Sequence, residues 1–387
     1  MKKLILSIKM CLLALTGMTL FSCAGSTEPA ETIKFYVGSS KGSLSHSIYL
    51  CELNPADGTF AVLDSFAGAK GSSYLDVSGE GDYLFSINQA PLNQEGEHAS
   101  VTSFAVDPAT RALKLINSQS SEGADISHIH CNETGDYIFA ANYGSGHATA
   151  LPVGADGSIV TASSVVVGSG NGPVESRQQG PHAHQVMLDP GQNFLLVPDL
   201  GCDRVMIYAF DRNSGNLTPN PAQPYFQLAP GSGPRHLAFH PDGKSLFIVS
   251  ELSSTITACN YNGEDGTISE LNTLSTVGES HEGMKYPAAV RVHPNGRFVY
   301  ASTRGENSCI TTFEINENQS ITRLQVMEHV PMWPRDFNVD PSGKLMLVAG
   351  ERSDEIRLYT IDPGTGLLSE TESFVKVPSP ASVLFVQ

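Results

Sequence analysis

The sequence predicts an all-β fold, a seven-bladed β-propeller, on three observations: frequent chain breaks, a repeated strand pattern, and incomplete pieces at both chain ends. Of 387 residues, 36 are Gly and 23 are Pro, while 40% are hydrophobic. Turn-forming residues at this density disfavour a helical bundle, and the apolar content is too high for a disordered chain.

The N-terminal segment is typical of an export signal. The segment starts with a basic stretch that contains Lys2, Lys3 and Lys9. An uncharged apolar stretch follows at residues 10–22, and it is too short to span a bilayer. The segment ends in the letters LFSC, similar to a bacterial lipobox, in which the cysteine (Cys23) is lipidated and becomes the mature N-terminus. The alternative is an ordinary signal peptide with an incidental cysteine.

These features divide the chain into three parts. We predict a lipoprotein signal peptide at residues 1–22, a tether at residues 23–32 and a propeller domain at residues 33–387. No second apolar segment of spanning length follows, so membrane attachment is expected only through the lipid. The expected location is the periplasm or outer membrane of a Gram-negative bacterium.

A repeated strand–turn–strand unit makes up the body of the chain. Each copy is an apolar strand, a turn with Pro or Gly, and a second apolar strand that ends in a polar residue. The first turn residues lie 47 to 57 residues apart, at Ser78, Asn132, Asp189, His240, His293 and Asp340. Seven hairpins with a second pattern alternate with these copies. Four strands in about 50 residues is the size of a propeller blade.

The chain ends supply the missing blade. Six central repeats leave one blade incomplete, and residues 33–37 and 381–386 are both apolar strand candidates. Pairing them would close a seventh blade and remove the open edge of the ring. Trp333 is the only tryptophan, and no Trp-Asp repeat occurs, which disfavours the WD40 class of propeller.

Charge and cysteine spacing exclude several functions. The chain has 23 basic and 40 acidic residues, a net charge of −17, so a nucleic-acid partner is not expected. The cysteines after Cys23 form no CxxC pair, which disfavours a zinc or thioredoxin-like site. They are Cys51, Cys131, Cys202, Cys259 and Cys309. Their pairing is left open, although an odd number leaves at least one thiol free in a monomer.

Polar residues at matching positions of the repeats predict a site on one face. The second strands end in Asn88, Asn142, Asp199, Glu251, Arg304 and Glu351. Five residues before each turn stand Ser73, Ser127, His184, Arg235, Ala288 and Arg335. Equivalent strand ends of a propeller converge, so His and Arg at one level favour a positive basin for an anionic or carbonyl-rich ligand. The alternatives are that turns are simply polar and that each Arg pairs with a neighbouring acid.

The segment RQQGPHAHQ, residues 177–185, is the richest single stretch. His182 and His184 are two residues apart, so on a strand they point the same way. A metal pair would need a third ligand, and none has convincing spacing. A proton carrier or hydrogen-bond donor is favoured instead, because the unperturbed pKa of histidine is near 6.5. No metal or other cofactor is expected.

Several segments together resemble the lactonase-type seven-bladed propellers. That family includes bacterial 6-phosphogluconolactonases and, more distantly, fungal carboxy-muconate lactonizing enzymes. The resemblance covers about residues 33–386. The segments are RQQGPHAHQV (177–186), PDLGCDRVMIY (198–208), GPRHLAFHPDG (233–243), IVSEL (248–252), RFVYASTRG (297–305) and PRDFNVDPSGK (334–344).

The resemblance implies an active site at the mouth of the central channel. The implied catalytic residues are His184, Arg235, Glu251 and Arg304. Expected substrate-binding residues are Asn142, Arg177, His182 and Asp199, to which the repeat positions add Arg335 and Glu351. The chain departs from the family at Ala289, where an acid is frequent, and at Thr303, where Asn is common. Both departures concern substrate identity more than the fold.

The expected function is hydrolysis of a sugar-acid lactone, a small-molecule substrate, by a monomer. Glu251 or His184 would activate water, while Arg235 and Arg304 would stabilise the oxyanion and bind a carboxylate or phosphate. An export signal conflicts with a phosphorylated cytoplasmic sugar, which favours an unphosphorylated lactone. The alternatives are a non-enzymatic envelope propeller that binds a sugar acid or protein, and a lactone-forming cyclase.

Overall fold

The computed structural model describes residues 32–43, 46–67, 69–89 and 99–386. The predicted signal peptide, Cys23 and all but the last residue of the predicted tether lie outside these ranges. Within them, no helix is long and apolar enough to cross a membrane.

The described residues form seven antiparallel sheets, which are the blades. The first contains β1 (Ile33–Ser43), β2 (His46–Asn54), β3 (Thr59–Phe66) and the C-terminal strand β29 (Pro380–Phe385). The second contains β4 (Leu75–Val77), β5 (Tyr83–Asn88), β6 (Ser100–Val106) and β7 (Leu113–Ser120). The third contains β8 (Ile126–Cys131), β9 (Tyr137–Asn142), β10 (His147–Pro152) and β11 (Ser164–Val167).

The remaining blades follow in chain order. The fourth contains β12 (Met187–Leu188), β13 (Phe194–Asp199), β14 (Arg204–Asp211) and β15 (Asn216–Pro219), with β16 (Tyr225–Gln227) also paired to β14. The fifth contains β17 (Pro234–Phe239), β18 (Ser245–Ser250), β19 (Thr255–Asn262) and β20 (Thr267–Ser275). The sixth contains β21 (Tyr286–Val292), β22 (Phe298–Arg304), β23 (Cys309–Ile315) and β24 (Ile321–Glu328). The seventh contains β25 (Pro334–Val339), β26 (Leu345–Gly350), β27 (Glu355–Ile361) and β28 (Leu368–Lys376).

The predicted seven-bladed propeller is therefore confirmed, including its closure. Strand β29 pairs antiparallel with β1, placing Phe385 opposite Phe35 and Val383 opposite Val37. Strand β29 also contacts β4 and β25, the first strands of the blades on either side, so it is the innermost strand of its own blade. Because β1 and β29 belong to the same sheet, the first and last described strands close the ring by hydrogen bonds and leave no open edge between them.

The hydrophobic core lies between neighbouring blades. Phe139 of the third blade packs with Leu195 and Phe210 of the fourth, and the two phenylalanine ring centroids are 4.9 Å apart. Phe247 of the fifth blade likewise packs with Val299 of the sixth. Every residue of β18 is buried, which is why the second strands of the repeats appear as continuous apolar runs. This packing holds the innermost strands in a rigid ring around the central channel.

The Pro/Gly turns of the repeats connect one blade to the next. The imidazole Nε2 of His240 lies 2.8 Å from the carbonyl oxygen of Gly296, and His293 makes the same contact with Gly343. Both glycines have a positive φ, near 73°, which favours glycine. The repeated turn is thus a structural connection at the end of the inner strands opposite the candidate site.

All five cysteines within the described ranges are buried and free, which answers the pairing question left open by the sequence. Burial raises the pKa of the Cys202 thiol to about 12, with the Asp199 carboxylate acting in the same direction. Cys202 therefore carries no thiolate at neutral pH, although it lies close to the predicted site.

The Gly343→Ala variant tests the connection between blades. A Cβ at Gly343 would lie 2.5 Å from the His293 ring, in addition to the strain of φ +73°. We expect a loss of about 2–4 kcal/mol in the free energy of unfolding, measured by urea denaturation.

Gly81→Ala is the matched control. Gly81 has φ +77°, and a Cβ added there would have no atom within 4 Å, so the variant isolates the backbone strain, about 1–2 kcal/mol. Equal destabilisation of the two variants would contradict the tight contact between blades.

Candidate active site

A polar cavity of about 340 Å³ opens at one mouth of the central channel. Its wall is built from the ends of the first two strands of several blades and from the loops beside them. The lining residues are Gln89, Asp125, Ile126, Ser127, Tyr143, Arg177, His184, Glu251, Arg304 and Arg335. Three of the four predicted catalytic residues and two of the six predicted substrate-binding residues are among them.

The carboxylate of Glu251, directly after β18, is surrounded by three guanidinium groups. Arg177 Nη2 lies 2.6 Å from Oε1, whereas Arg304 Nη2 and Arg235 Nε lie 2.5 and 3.1 Å from Oε2. Burial raises the pKa of Glu251, but the three guanidinium groups outweigh it and lower the pKa to about 2. Glu251 is therefore ionised at neutral pH, and each of its carboxylate oxygens forms at least one ion pair with a guanidinium group.

Each of the three arginines is held by a further contact. Arg235 donates through Nη1 to the Ala288 carbonyl, and Arg304 donates through Nε to the Tyr286 carbonyl at 3.2 Å. Arg177 donates through Nη2 to the hydroxyl of Tyr143 at 3.3 Å. Arg235 is only 1% exposed and does not line the cavity, so it lies beneath Glu251 in this structure.

Arg335 completes the positive side of the cavity. It is half-buried, lines the cavity, and makes no hydrogen bond or ion pair with the part of the chain that the structure describes. Three guanidinium groups (Arg177, Arg304 and Arg335) line the cavity together with the two carboxylates of Glu251 and Asp125, so positive charge is in excess even without the buried Arg235. The chain as a whole carries −17, so the cavity is a local positive basin suited to anions.

His184 is neutral within this basin. Burial, followed by the charges of Arg235 and Arg335, lowers the pKa of His184 well below its usual value. Its Nδ1 has no hydrogen-bond partner among the described residues, while the Ser127 hydroxyl donates to its backbone carbonyl at 2.8 Å. A neutral imidazole here offers one hydrogen bond to a ligand without adding charge.

His182 does not line the cavity but positions a residue that does. Its ring stacks on Tyr143 with centroids 4.6 Å apart, and its Nδ1 lies 2.8 Å from the Tyr143 carbonyl oxygen. The two histidines that the sequence places two residues apart thus have different surroundings. The described residues also contain no group of three or more His, Cys, Asp or Glu able to hold a metal ion.

Three other predicted residues form hydrogen bonds with neighbouring protein groups instead of lining the cavity. The amide of Asn142 bonds to the hydroxyl and carbonyl of Ser121 at 2.6 and 3.0 Å. Asp199 accepts the backbone N–H of His182 at 2.8 Å, and Glu351 accepts the hydroxyl of Ser40 at 2.6 Å. The contacts of these three residues agree with the alternative given above, in which polar residues occur at strand ends because turns are polar.

The structure also places residues in the cavity that sequence reasoning missed: Gln89, Asp125 and Tyr143. Each stands in a loop next to a strand, outside the two sets of equivalent repeat positions. Tyr143 directly follows Asn142, so reading one residue beyond the strand ends would have found it. Asp125 follows a glycine-containing turn and gives no comparable signal.

Comparison with known proteins identifies the family of this chain. Residues 34–385 match the model of the family described as lactonase, 7-bladed beta-propeller. The chain belongs to this lactonase family. It is 31% identical over 354 residues to a 6-phosphogluconolactonase of Bacillus subtilis (strain 168), covering 91% of this chain and 97% of the relative. The family resemblance inferred from the sequence is confirmed.

Solved structures give the same result for this lactonase-family chain. A putative 6-phosphogluconolactonase from Bacteroides fragilis matches with a TM-score of 0.85 and 31% identity, covering 94% of this chain and 99% of that one. A periplasmic gluconolactonase of Pseudomonas aeruginosa matches with a TM-score of 0.86 and 28% identity, covering 92% and 99%.

The Glu251→Gln variant of this lactonase-family chain tests the carboxylate–arginine cluster. Removing a buried charge partner leaves guanidinium groups uncompensated, so we expect a loss of about 3–5 kcal/mol in the free energy of unfolding at pH 7. The folded-state pKa of about 2 lies below the unfolded value of 4.5. The contribution of the ionised carboxylate is therefore complete above pH 4.5 and is lost as the pH falls through about 2.

Urea denaturation of both proteins between pH 7 and pH 2.5 measures this effect. The difference in stability between wild type and variant should shrink on acidification, and a constant difference would contradict the ion cluster. Glu264→Gln, at an exposed glutamate, should change stability by less than about 0.5 kcal/mol at every pH.

Proposed function

We propose that the protein hydrolyses a sugar-acid lactone to the open-chain acid. The observation that carries this proposal is the positive cavity. In it, Arg335 makes no hydrogen bond or ion pair with the described residues, while Arg177 and Arg304 are held by the buried carboxylate of Glu251. Attack of water on a lactone carbonyl creates an oxyanion and ends in a carboxylate. Fixed guanidinium groups in a confined cavity stabilise both negative charges.

The arrangement supports a specific division of roles. Arg304 and Arg335 would contact the oxyanion and the product carboxylate, while Arg235, buried beneath the cavity, holds Glu251 in place. The expectation that Glu251 is the general base fits poorly, because its pKa is about 2 and three guanidinium groups occupy its oxygens. Glu251 serves better as the anchor of the arginine array.

His184 is also a poor candidate for the base. Taking up a proton would create an imidazolium next to Arg235 and Arg335, which lower the pKa of the ring. Its neutral ring fits the orientation of the attacking water or of a substrate hydroxyl through a hydrogen bond.

The substrate that we propose is an unphosphorylated lactone. The comparisons include proteins named for a phosphorylated and an unphosphorylated lactone. We favour an unphosphorylated sugar-acid lactone, since the LFSC motif at the N-terminus supports export as a lipoprotein to the periplasm or outer membrane. A phosphate, if present, would bind in the same basin.

A proton-release assay tests the proposed reaction. Residues 24–387 would be mixed with gluconolactone, 6-phosphogluconolactone and γ-butyrolactone, which lacks sugar hydroxyls, and compared with spontaneous hydrolysis. We expect the protein to accelerate the hydrolysis of a sugar lactone but not that of γ-butyrolactone. If the folded protein accelerates hydrolysis of no lactone but binds gluconate, the result would contradict the proposed enzyme and favour a non-enzymatic propeller that binds a sugar acid.

The Arg335→Ala variant tests the free guanidinium. A charge-assisted hydrogen bond contributes about 1.5–3 kcal/mol, so affinity for gluconate should fall by about 10-fold or more. Trp333, the only tryptophan, lies 5.5 Å from Arg304, so its fluorescence is a natural probe of the site.

Arg297→Ala is the charge-matched control. Arg297 is exposed in the turn at the opposite end of the inner strands and should leave gluconate affinity unchanged. Equal affinities of the wild type and Arg335→Ala would contradict the role of Arg335.

A further inference from the structure

We propose that Asp125 is the general base of this hydrolysis, the group that takes a proton from the attacking water. The inference rests on the proposed function and names a catalytic residue at the same site. Asp125 directly precedes β8, lines the cavity and is half-buried. Its carboxylate makes no hydrogen bond or ion pair with the described residues, in contrast to that of Glu251. It is therefore a carboxylate in the cavity with lone pairs available to water.

The backbone around Asp125 is well fixed. Its carbonyl accepts the N–H of Tyr143 at 3.0 Å, and the carbonyl of Ala124 accepts the N–H of Gly144 at 3.0 Å. The hydroxyl of Ser145 accepts the N–H of Ala124, also at 3.0 Å. These contacts connect the loop before β8 to the loop after β9, so the carboxylate starts from a fixed position at the cavity wall.

Glycine at position 144 makes room for the carboxylate. A Cβ built on Gly144 would lie 2.6 Å from Asp125 Oδ2 and 2.9 Å from its Cβ. Any side chain at position 144 would therefore displace Asp125. Asp125 itself has φ +51°, in the left-handed region that Asp and Asn tolerate better than most residues.

The surroundings of Asp125 favour proton transfer. Burial raises the pKa of Asp125, whereas that of Glu251 is lowered to about 2. A carboxylate with the higher pKa is the stronger base of the two. The titratable and charged groups that share the cavity with it are Tyr143, Arg177, His184, Glu251, Arg304 and Arg335.

The reaction consumes one water molecule and needs no other reactant. Water oxygen forms a bond to the lactone carbonyl carbon as Asp125 takes its proton, and the carbonyl oxygen becomes the oxyanion. The oxyanion then collapses, the bond between carbonyl carbon and ring oxygen breaks, and protonated Asp125 gives its proton to the ring oxygen. The resulting carboxylic acid ionises and releases one proton to solvent.

The Asp125→Asn variant is the direct test. Asparagine has nearly the same shape and accepts a positive φ, so the fold should be kept, but its amide cannot take the proton. We expect kcat to fall by about 10²–10⁴-fold, with KM changed less than about 3-fold. In the wild type, kcat should fall on acidification as Asp125 becomes protonated, and this acidic limb should be missing in the variant.

Glu122→Gln is the matched control. Glu122 is exposed in the same loop and has φ +58°, and its replacement removes the same charge. The variant should retain the wild-type kcat and pH profile. Unaltered binding of gluconate by Asp125→Asn, followed through Trp333 fluorescence, would show that the variant keeps an intact cavity.

Gly144→Ala tests the position of the carboxylate without removing it. The added methyl group must push Asp125 aside, so kcat should fall while the acidic limb remains. Wild-type kcat in Asp125→Asn, or a change in KM alone, would overturn the assignment of Asp125. Inactivity of the wild type towards every lactone would instead overturn the proposed function, so the two failures are distinguishable.

Discussion

The site depends on one buried carboxylate, that of Glu251. It holds Arg235 of its own blade, Arg304 of the next blade and Arg177 from the connection before β12. Burying any of these charges alone would be strongly unfavourable, and the cluster persists because the opposite charges are within hydrogen-bond distance. The cluster contains one negative and three positive charges, so it keeps an excess of positive charge that an anionic ligand can neutralise.

The propeller supplies the rigidity that such a cluster requires. Guanidinium groups from different blades keep their distances only if the blades do not move relative to one another. The cores between blades and the closure of β29 on β1 provide this constraint. Donors that are fixed before the reaction need little reorganisation when charge develops, which is the main source of electrostatic catalysis. The fold and the chemistry are therefore connected through the stiffness of the ring.

Much of the fold could be predicted because its determinants are local and repeated. The turn chemistry recurs about every 50 residues, and comparison of equivalent positions in the repeats placed His184 and Arg335 at one level of the same face. The sequence could not say whether a polar residue at a strand end faces the channel or the backbone. Asn142 and Asp199 bind backbone groups, whereas Glu251, at an equivalent position, faces the cavity. That difference depends on loop geometry between blades, which the sequence pattern does not specify.

The two acids of the cavity show how surroundings assign chemical roles. Glu251 and Asp125 carry the same functional group, yet the pKa of the first is lowered by three guanidinium groups and that of the second is raised by burial. Environments that move two pKa values apart separate an electrostatic role from a proton-transfer role. Both oxygens of Glu251 are in ion pairs with guanidinium groups and its pKa is lowered, so the group that organises the arginines is poorly able to act as the base. A site that needs both functions requires a second carboxylate outside the ion cluster, and Asp125 occupies such a position.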